Sequence, residues 1–224
     1  MHVIGRVLSF LFIVFSLGLD VVADEHEPLT FDVAGDGSAQ WGPESRYVYF
    51  SSSRTSGDGD VPPYNGKTQV WRVDIGDGRI VPITRLKAGL DSYEVSADGH
   101  FVYYTVGNDS TDDVWKDLRE KHDSIRYSRG VDSISEVWKL DLRSWRSEKI
   151  VDEKRYVREF SVSDDGRYLA MITAADDLLI SHEGWSRIDV YDAETGDVTT
   201  VPDDVWRTDV PSPHGWLETL AWSS

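Results

Sequence analysis

One short figure recurs along this chain and limits what it can fold into. Its clearest copy is Val162-Ser163-Asp164-Asp165-Gly166-Arg167-Tyr168-Leu169-Ala170-Met171. It reads as a strand end, a tight turn and a second strand. Asp165-Gly166 suits a hairpin turn, because Gly accepts positive φ without steric cost. An apolar run resumes at Tyr168. An earlier copy is Val95-Ser96-Ala97-Asp98-Gly99-His100-Phe101-Val102-Tyr103-Tyr104. The first copy, Trp41-Gly42-Pro43-Glu44-Ser45-Arg46-Tyr47-Val48-Tyr49-Phe50, has altered turn chemistry, and a fourth begins at residues 220–224.

Each full copy opens the same series of strands. After the inner hairpin comes a polar connection. An alternating aromatic strand follows, ending in Asp: Gln69-Val70-Trp71-Arg72-Val73-Asp74, then Glu136-Val137-Trp138-Lys139-Leu140-Asp141, then Arg187-Ile188-Asp189-Val190-Tyr191-Asp192. A turn and a short fourth strand close the unit. A four-stranded unit that recurs every ~40–60 residues indicates propeller blades. One such sheet cannot cover its own apolar faces, whereas sheets stacked around an axis can. The expected fold is all-β, a partial β-propeller of three four-stranded blades plus the start of a fourth. The expected blades are 39–85, 90–152 and 157–202, with the next opening at 217–224. A lead-in, 24–38, precedes them.

Two expectations follow from that layout. In an up-and-down blade, connections alternate between the two ends. All the long segments (52–67, 108–132, 174–186 and 203–216) therefore fall at one end, which is the better place to recognise a partner. An arc of three blades also leaves two apolar sheet faces uncovered, so the chain reads as the N-terminal part of a longer protein; the alternatives are that residues 217–224 return to complete an earlier blade, or that the arc oligomerises. One short helix is expected in the second repeat's insertion. Ser110 or Thr111 would cap it, Asp112 and Asp113 would sit in its first turn, and Val114, Trp115, Leu118, His122 and Ile125 would share one side.

Residues 1–23 read as a signal peptide: His2 and Arg6, an apolar run over 7–19, then Val21-Val22-Ala23 before an expected cut. An uncleaved anchor is the alternative, though the run is short for a membrane span. The expected location is therefore exported, periplasmic or extracellular, with no membrane contact after cleavage. The net charge of −17 argues against a nucleic-acid partner, which needs clustered Lys and Arg. There is no cysteine, so disulfides, thiol nucleophiles and zinc-thiolate sites are excluded.

Chemistry is sparse. No Gly-x-Ser-x-Gly elbow occurs; Gly184-Trp185-Ser186-Arg187-Ile188 lacks the second Gly, and Ser186 reads as a strand-start residue. His2, His26, His100, His122, His182 and His214 show no metal-ligand spacing. His100 stands where Arg46 and Arg167 stand in the sister repeats and is expected to be exposed, while His182 and His214 fall at the long-loop end. The acidic Gly-rich stretches 33–37 and 56–60 lack the spacing and distal Glu of a calcium loop and read as solvated turns. Trp41, Trp71, Trp138 and Trp222 occupy strand positions suited to packing between blades. Trp115, Trp145, Trp185, Trp206 and Trp216 lie in or near connections, where anchoring loops is the favoured role. No catalytic, cofactor-binding or metal residue is assigned, and the substrate-binding residues are unknown.

The run 163–170 resembles the Ser-Pro-Asp-Gly-Arg-x-Leu-Ala hairpin of TolB-type, WD-like propeller repeats. Trp138-Lys139-Leu140-Asp141 and Trp71-Arg72-Val73-Asp74 resemble their Ile-Trp-x-Val-Asp strand. The likeness departs from pattern at 41–46, where the Asp-Gly turn is missing, and in the second repeat's insertion. With a signal peptide, the resemblance implies one of two settings. The first is the N-terminal propeller that gates substrate entry in prolyl oligopeptidase-type serine peptidases, the dipeptidyl and acylaminoacyl peptidases included. Its partner would be a peptide substrate, and its catalytic Ser, Asp and His would belong to a C-terminal hydrolase domain outside this chain. The second is a TolB-like periplasmic scaffold that binds protein.

Overall fold

The computed structural model describes residues 29–30, 32–57, 59–108, 120–122, 134–151, 155–174, 186–202 and 219–223. Among the described residues, twelve strands form three antiparallel four-stranded sheets, each in chain order. The first holds β1 (Asp36–Trp41), β2 (Tyr47–Ser52), β3 (Gln69–Asp74) and β4 (Ile80–Pro82). The second holds β5 (Ser92–Val95), β6 (Phe101–Asn108), β7 (Ile134–Asp141) and β8 (Arg146–Val151). The third holds β9 (Tyr156–Val162), β10 (Tyr168–Ala174), β11 (Arg187–Asp192) and β12 (Val198–Thr200). The helix expected in the second insertion lies outside the described residues except for 120–122.

The recurring figure is a hairpin held by its own side chains. In the second sheet, Gly99 N–H donates to the Ser96 carbonyl at 2.8 Å, and the Ser96 hydroxyl donates to Asp98 at 2.6 Å while accepting from Phe101 N–H at 2.9 Å. In the third, Gly166, Ser163, Asp165 and Tyr168 N–H repeat those bonds at 2.8, 2.6 and 2.9 Å. Ser and Asp satisfy backbone donors that a tight turn would leave unpaired, which is why those residue types recur there. In the first sheet a short 3₁₀ turn, Pro43–Ser45, replaces the motif, with Glu44 and Ser45 at positive φ.

The Asp that ends each third strand has a similar task. Asp74 accepts from Gly76 N–H at 2.9 Å, Asp141 from Arg143 N–H at 2.7 Å and Asp192 from Glu194 N–H at 2.8 Å. Arg46 pairs with Asp74 at 3.1 Å and Arg167 with Asp192 at 3.0 Å, tying the hairpin to the next turn. Bonds to the turn amides, and in two sheets to these arginines, hold the three carboxyls below the ordinary Asp range.

The sheets stack face to face through two apolar layers. Tyr49, Val70, Ile83 and Leu90 of the first unit meet Tyr93, Val102, Tyr104 and Leu140 of the second. Tyr103, Val137 and Val151 of the second meet Val157, Val162, Leu169, Met171 and Tyr191 of the third. Strand alternation explains the economy: Tyr103 and Tyr104 are neighbours in β6 and serve opposite layers. Among the described residues, no helix is long and apolar enough to cross a membrane.

Candidate interaction surface

The alternation of connections puts 53–67 and the 83–91 link at one end of the sheets. The 53–67 connection folds back over the outward face of the first sheet. The Arg54 guanidinium stacks on Phe50 at 5.3 Å and on Trp71 at 5.1 Å, and Tyr64 meets Trp71 at 5.3 Å. Asp36 at 3.2 Å and Asp32 at 3.9 Å hold the other side of that guanidinium. The expectation that this face is uncovered is corrected: Phe50, Trp71 and Val73 are buried. Aromatic rings attract a cation across their faces, so the sheet recruits a cover from its own loop.

The connection is fixed at its base as well. The fully buried Gln69 side chain donates to the Leu86 carbonyl at 2.7 Å and accepts from Leu86 N–H at 2.8 Å and Thr84 hydroxyl at 2.9 Å. Asn65 donates to the Lys87 carbonyl at 3.1 Å. On this braced support Val61 and Tyr64 remain exposed.

A second set of polar contacts runs between inner strands. Gln40 of β1 donates to the Tyr93 carbonyl and accepts from Val95 N–H, both at 3.0 Å. Glu94 of β5 accepts from Val162 N–H at 3.1 Å. Glu159 of β9 accepts from Thr219 N–H at 3.1 Å, and Trp222 Nε1–H donates to the Ser161 carbonyl at 3.0 Å. Each inner strand thus reaches the next segment around the arc. Desolvation pushes the Glu94 carboxyl up to about 7, against the pull of its backbone donor.

The single residues marked in the sequence separate clearly. His100 is partly exposed at its turn, with Nδ1 2.8 Å from Asp98. His122 is exposed. Ser186 is buried just before β11. Of the acidic loops, 33–37 spends the Asp36 carboxylate on Arg54, while Asp58 lies outside the described residues. Trp71 is buried and donates to the Ser52 carbonyl at 3.1 Å, Trp138 packs against the first layer, and Trp222 stacks on Tyr168 at 6.0 Å. Trp41 departs from expectation: it is 62% exposed, because it faces away from the second sheet and no described residue covers it. Trp145 departs too, standing 55% exposed instead of anchoring a connection. His2, His26, His182, His214, Trp115, Trp185, Trp206 and Trp216 lie outside the described residues.

No protein-family model matches this chain, and no curated protein sequence does. Solved structures do. TolB from Acinetobacter baumannii aligns with a TM-score of 0.50 at 16% identity, over 80% of this chain and 35% of its own. A putative TolB from Agrobacterium tumefaciens aligns with a TM-score of 0.50 at 14% identity, over 77% of this chain and 50% of its own. The acylaminoacyl peptidase of Pyrococcus horikoshii aligns at a TM-score of 0.45 and 14% identity, over 74% of this chain and 24% of its own. The chain therefore spans half or less of the length of these structures. At such identities the likeness to the two TolB structures is one of fold, and together with the stacked sheets and their Asp-Gly hairpins it identifies the fold of this chain as that of a TolB-type β-propeller.

Proposed function

We propose that the chain is a recognition module whose long-loop end engages a peptide or protein, and that it gates substrate entry in an exported serine peptidase of the prolyl oligopeptidase type. The observation that carries the recognition role is the construction of that end. Arg54 and Asn65 brace the 53–67 connection and Gln69 fixes the strand start into which it runs, yet Val61 and one side of Tyr64 stay exposed. Exposed apolar groups on a rigid support are what a binding surface needs, because little ordering entropy opposes association. The gating role draws on the signal-peptide pattern at 1–23 and on the insertion that precedes the Trp138 strand. In this reading the catalytic groups lie in a hydrolase domain beyond this chain.

The test compares residues 24–224 with the product of the uninterrupted locus on aminoacyl and dipeptidyl chromogenic esters. The shorter protein should release no chromophore above background. The longer one should, and Val61→Asp in it should alter KM for long peptides more than for the esters. Turnover by residues 24–224 alone overturns the division of labour. If neither protein turns over substrate but a protein co-purifies and is lost with Val61→Asp, the TolB-like scaffold reading replaces the gate.

A further inference from the structure

The seam between the first and second sheets widens toward their outer strands, β4 and β8. A cleft of about 510 Å³ opens there, floored by Ile83, Leu86, Tyr104 and Leu140 and flanked by Arg85 and Trp145. Three of the floor residues belong to the buried layer that joins the sheets, so the floor is fixed by the fold. Arg85 follows β4 and so stands at the long-loop end. Trp145 lies in the turn between β7 and β8 and so stands at the opposite end. The cleft therefore runs along the rim from one end of the sheets to the other, a shape suited to an extended chain.

Trp145 is held open by its backbone. Its φ is +56°, a region a bulky residue seldom occupies, and its N–H donates to the Asp141 carbonyl at 2.8 Å. The Asp141 carboxylate accepts from the amides of Arg143 and Ser144 at 2.7 and 3.1 Å, which fixes the turn that carries the indole. At the far end, Arg85 and Lys87 are exposed and pair with no carboxylate among the described residues, in a chain where Asp and Glu number 40 against 23 Lys and Arg. The cleft on the second sheet's opposite face differs. It is lined by Phe101, Lys139, Asp141, Arg146 and Glu148, and there Lys139 and Glu148 pair with each other at 3.1 Å. That cleft carries two carboxylates of its own, Asp141 and Glu148, whereas the lining of the first holds Arg85 and no Asp or Glu.

We propose that the cleft between β4 and β8 is a docking groove for an extended segment of a partner protein, one that places an aromatic or large aliphatic side chain against Trp145 and Leu140 and an Asp or Glu side chain against Arg85. The apolar floor supplies the anchor site, and the unmatched cation selects an acidic neighbour. The groove reaches the long-loop end at Arg85, but none of its lining residues belongs to the 53–67 connection that carries Val61.

The probe is a set of capped, fluorescein-labelled octapeptides on a Gly-Ser background, in which one Phe and one Glu are moved independently through all spacings and both orders. Anisotropy is read against the purified chain. Saturable binding is expected at a narrow range of spacings. Trp145→Ser, Arg85→Glu and replacement of the probe's Glu by Gln should each weaken it about tenfold or more. Val61→Asp should leave it unchanged, which separates this groove from the exposed surface of the 53–67 connection. Both altered side chains are exposed, so the variants should keep the parent's urea midpoint; if Trp145→Ser does not, Arg85→Glu decides. The proposal is overturned if no spacing binds at about 1 mM, or if binding is indifferent to Arg85→Glu and to the Gln probe.

Discussion

The two seams that join the three sheets perform one task with different chemistry. Between the first and second sheets the layer is neutral and rich in tyrosine, and the inner strands are joined by an amide. Gln40 both donates and accepts across the seam, so its bonds do not depend on protonation. Between the second and third sheets the inner contact is a carboxylate. Glu94 only accepts when ionised, from a single backbone N–H, in a site that disfavours its charge. The third strands differ in the same direction. Trp71 and Trp138 stand at matching places in β3 and β7, but β11 has Asp189 there. Asp189 is buried and accepts from the Thr173 and Thr200 hydroxyls, both at 2.6 Å, and from Arg187 at 2.9 Å. One seam is thus held by shape, the other partly by charge that the fold must keep satisfied.

The largest effect should come from emptying the first seam. Tyr104→Ala removes a buried ring from the middle of that layer, and should lower the urea-unfolding free energy by about 4 kcal/mol. In the other seam, Asp189→Ala should cost about 3 kcal/mol, because two hydroxyls and Arg187 lose their acceptor inside the sheet. If Asp189→Ala proves the milder by far, the carboxylate is not what holds the third sheet. Asp189→Asn, which keeps an acceptor oxygen, should fall between Asp189→Ala and the parent.

A smaller effect is set by pH. The folded Glu94 carboxyl keeps its proton up to about 7, while its ordinary value is 4.5. Between those values the folded state binds more protons than the unfolded one, so this group makes stability fall as pH rises, with the loss complete above the folded value. Glu94→Gln should remove that share of the slope in urea titrations and leave the protein more stable than the parent at pH 8. The reciprocal Gln40→Glu should introduce a similar slope into the first seam; a flat response there would break the comparison. The smallest effect is at Trp41. Trp41→Ser should change stability by less than about 0.5 kcal/mol, whereas the same change at the buried Trp71 should cost several-fold more.

Much of this fold is visible in sequence because it is local. Ser96 and Asp98, like Ser163 and Asp165, accept from backbone N–H groups within five residues of themselves. Their spacing therefore marks a hairpin without knowledge of the rest. The third-strand Asp is legible for the same reason. The inner-strand contacts are not, since Gln40 and Glu94 meet groups 55 and 68 residues away. Nothing near either residue announces its partner. Arg54 was hidden differently, as one cation in a polar connection, and its role emerges only once Phe50 and Trp71 share a face. Trp41 misled because it matches Val95 and Val162 in register, but register places a side chain on a face without saying what covers it. The rim cleft was beyond reach of the sequence, for it combines the link after β4 with a turn between β7 and β8.

The turn at Gly99 carries a consequence for how this chain can change over generations. Its φ is +68°, and a Cβ placed there would lie 2.5 Å from Pro43, in the corresponding turn of the first sheet. Gly166, the matching residue of the third sheet, has φ +71° and open space around it. The two glycines look alike in an alignment of the repeats, yet they are not under the same constraint. At 166 an Asn, which tolerates the left-handed region, is an accessible single step. At 99 the same step is closed while Pro43 remains, so the ring at 43 must shrink first. Mutational paths through the second turn therefore have an obligatory order, set by a residue in a different repeat, and a copy of that turn cannot drift alone.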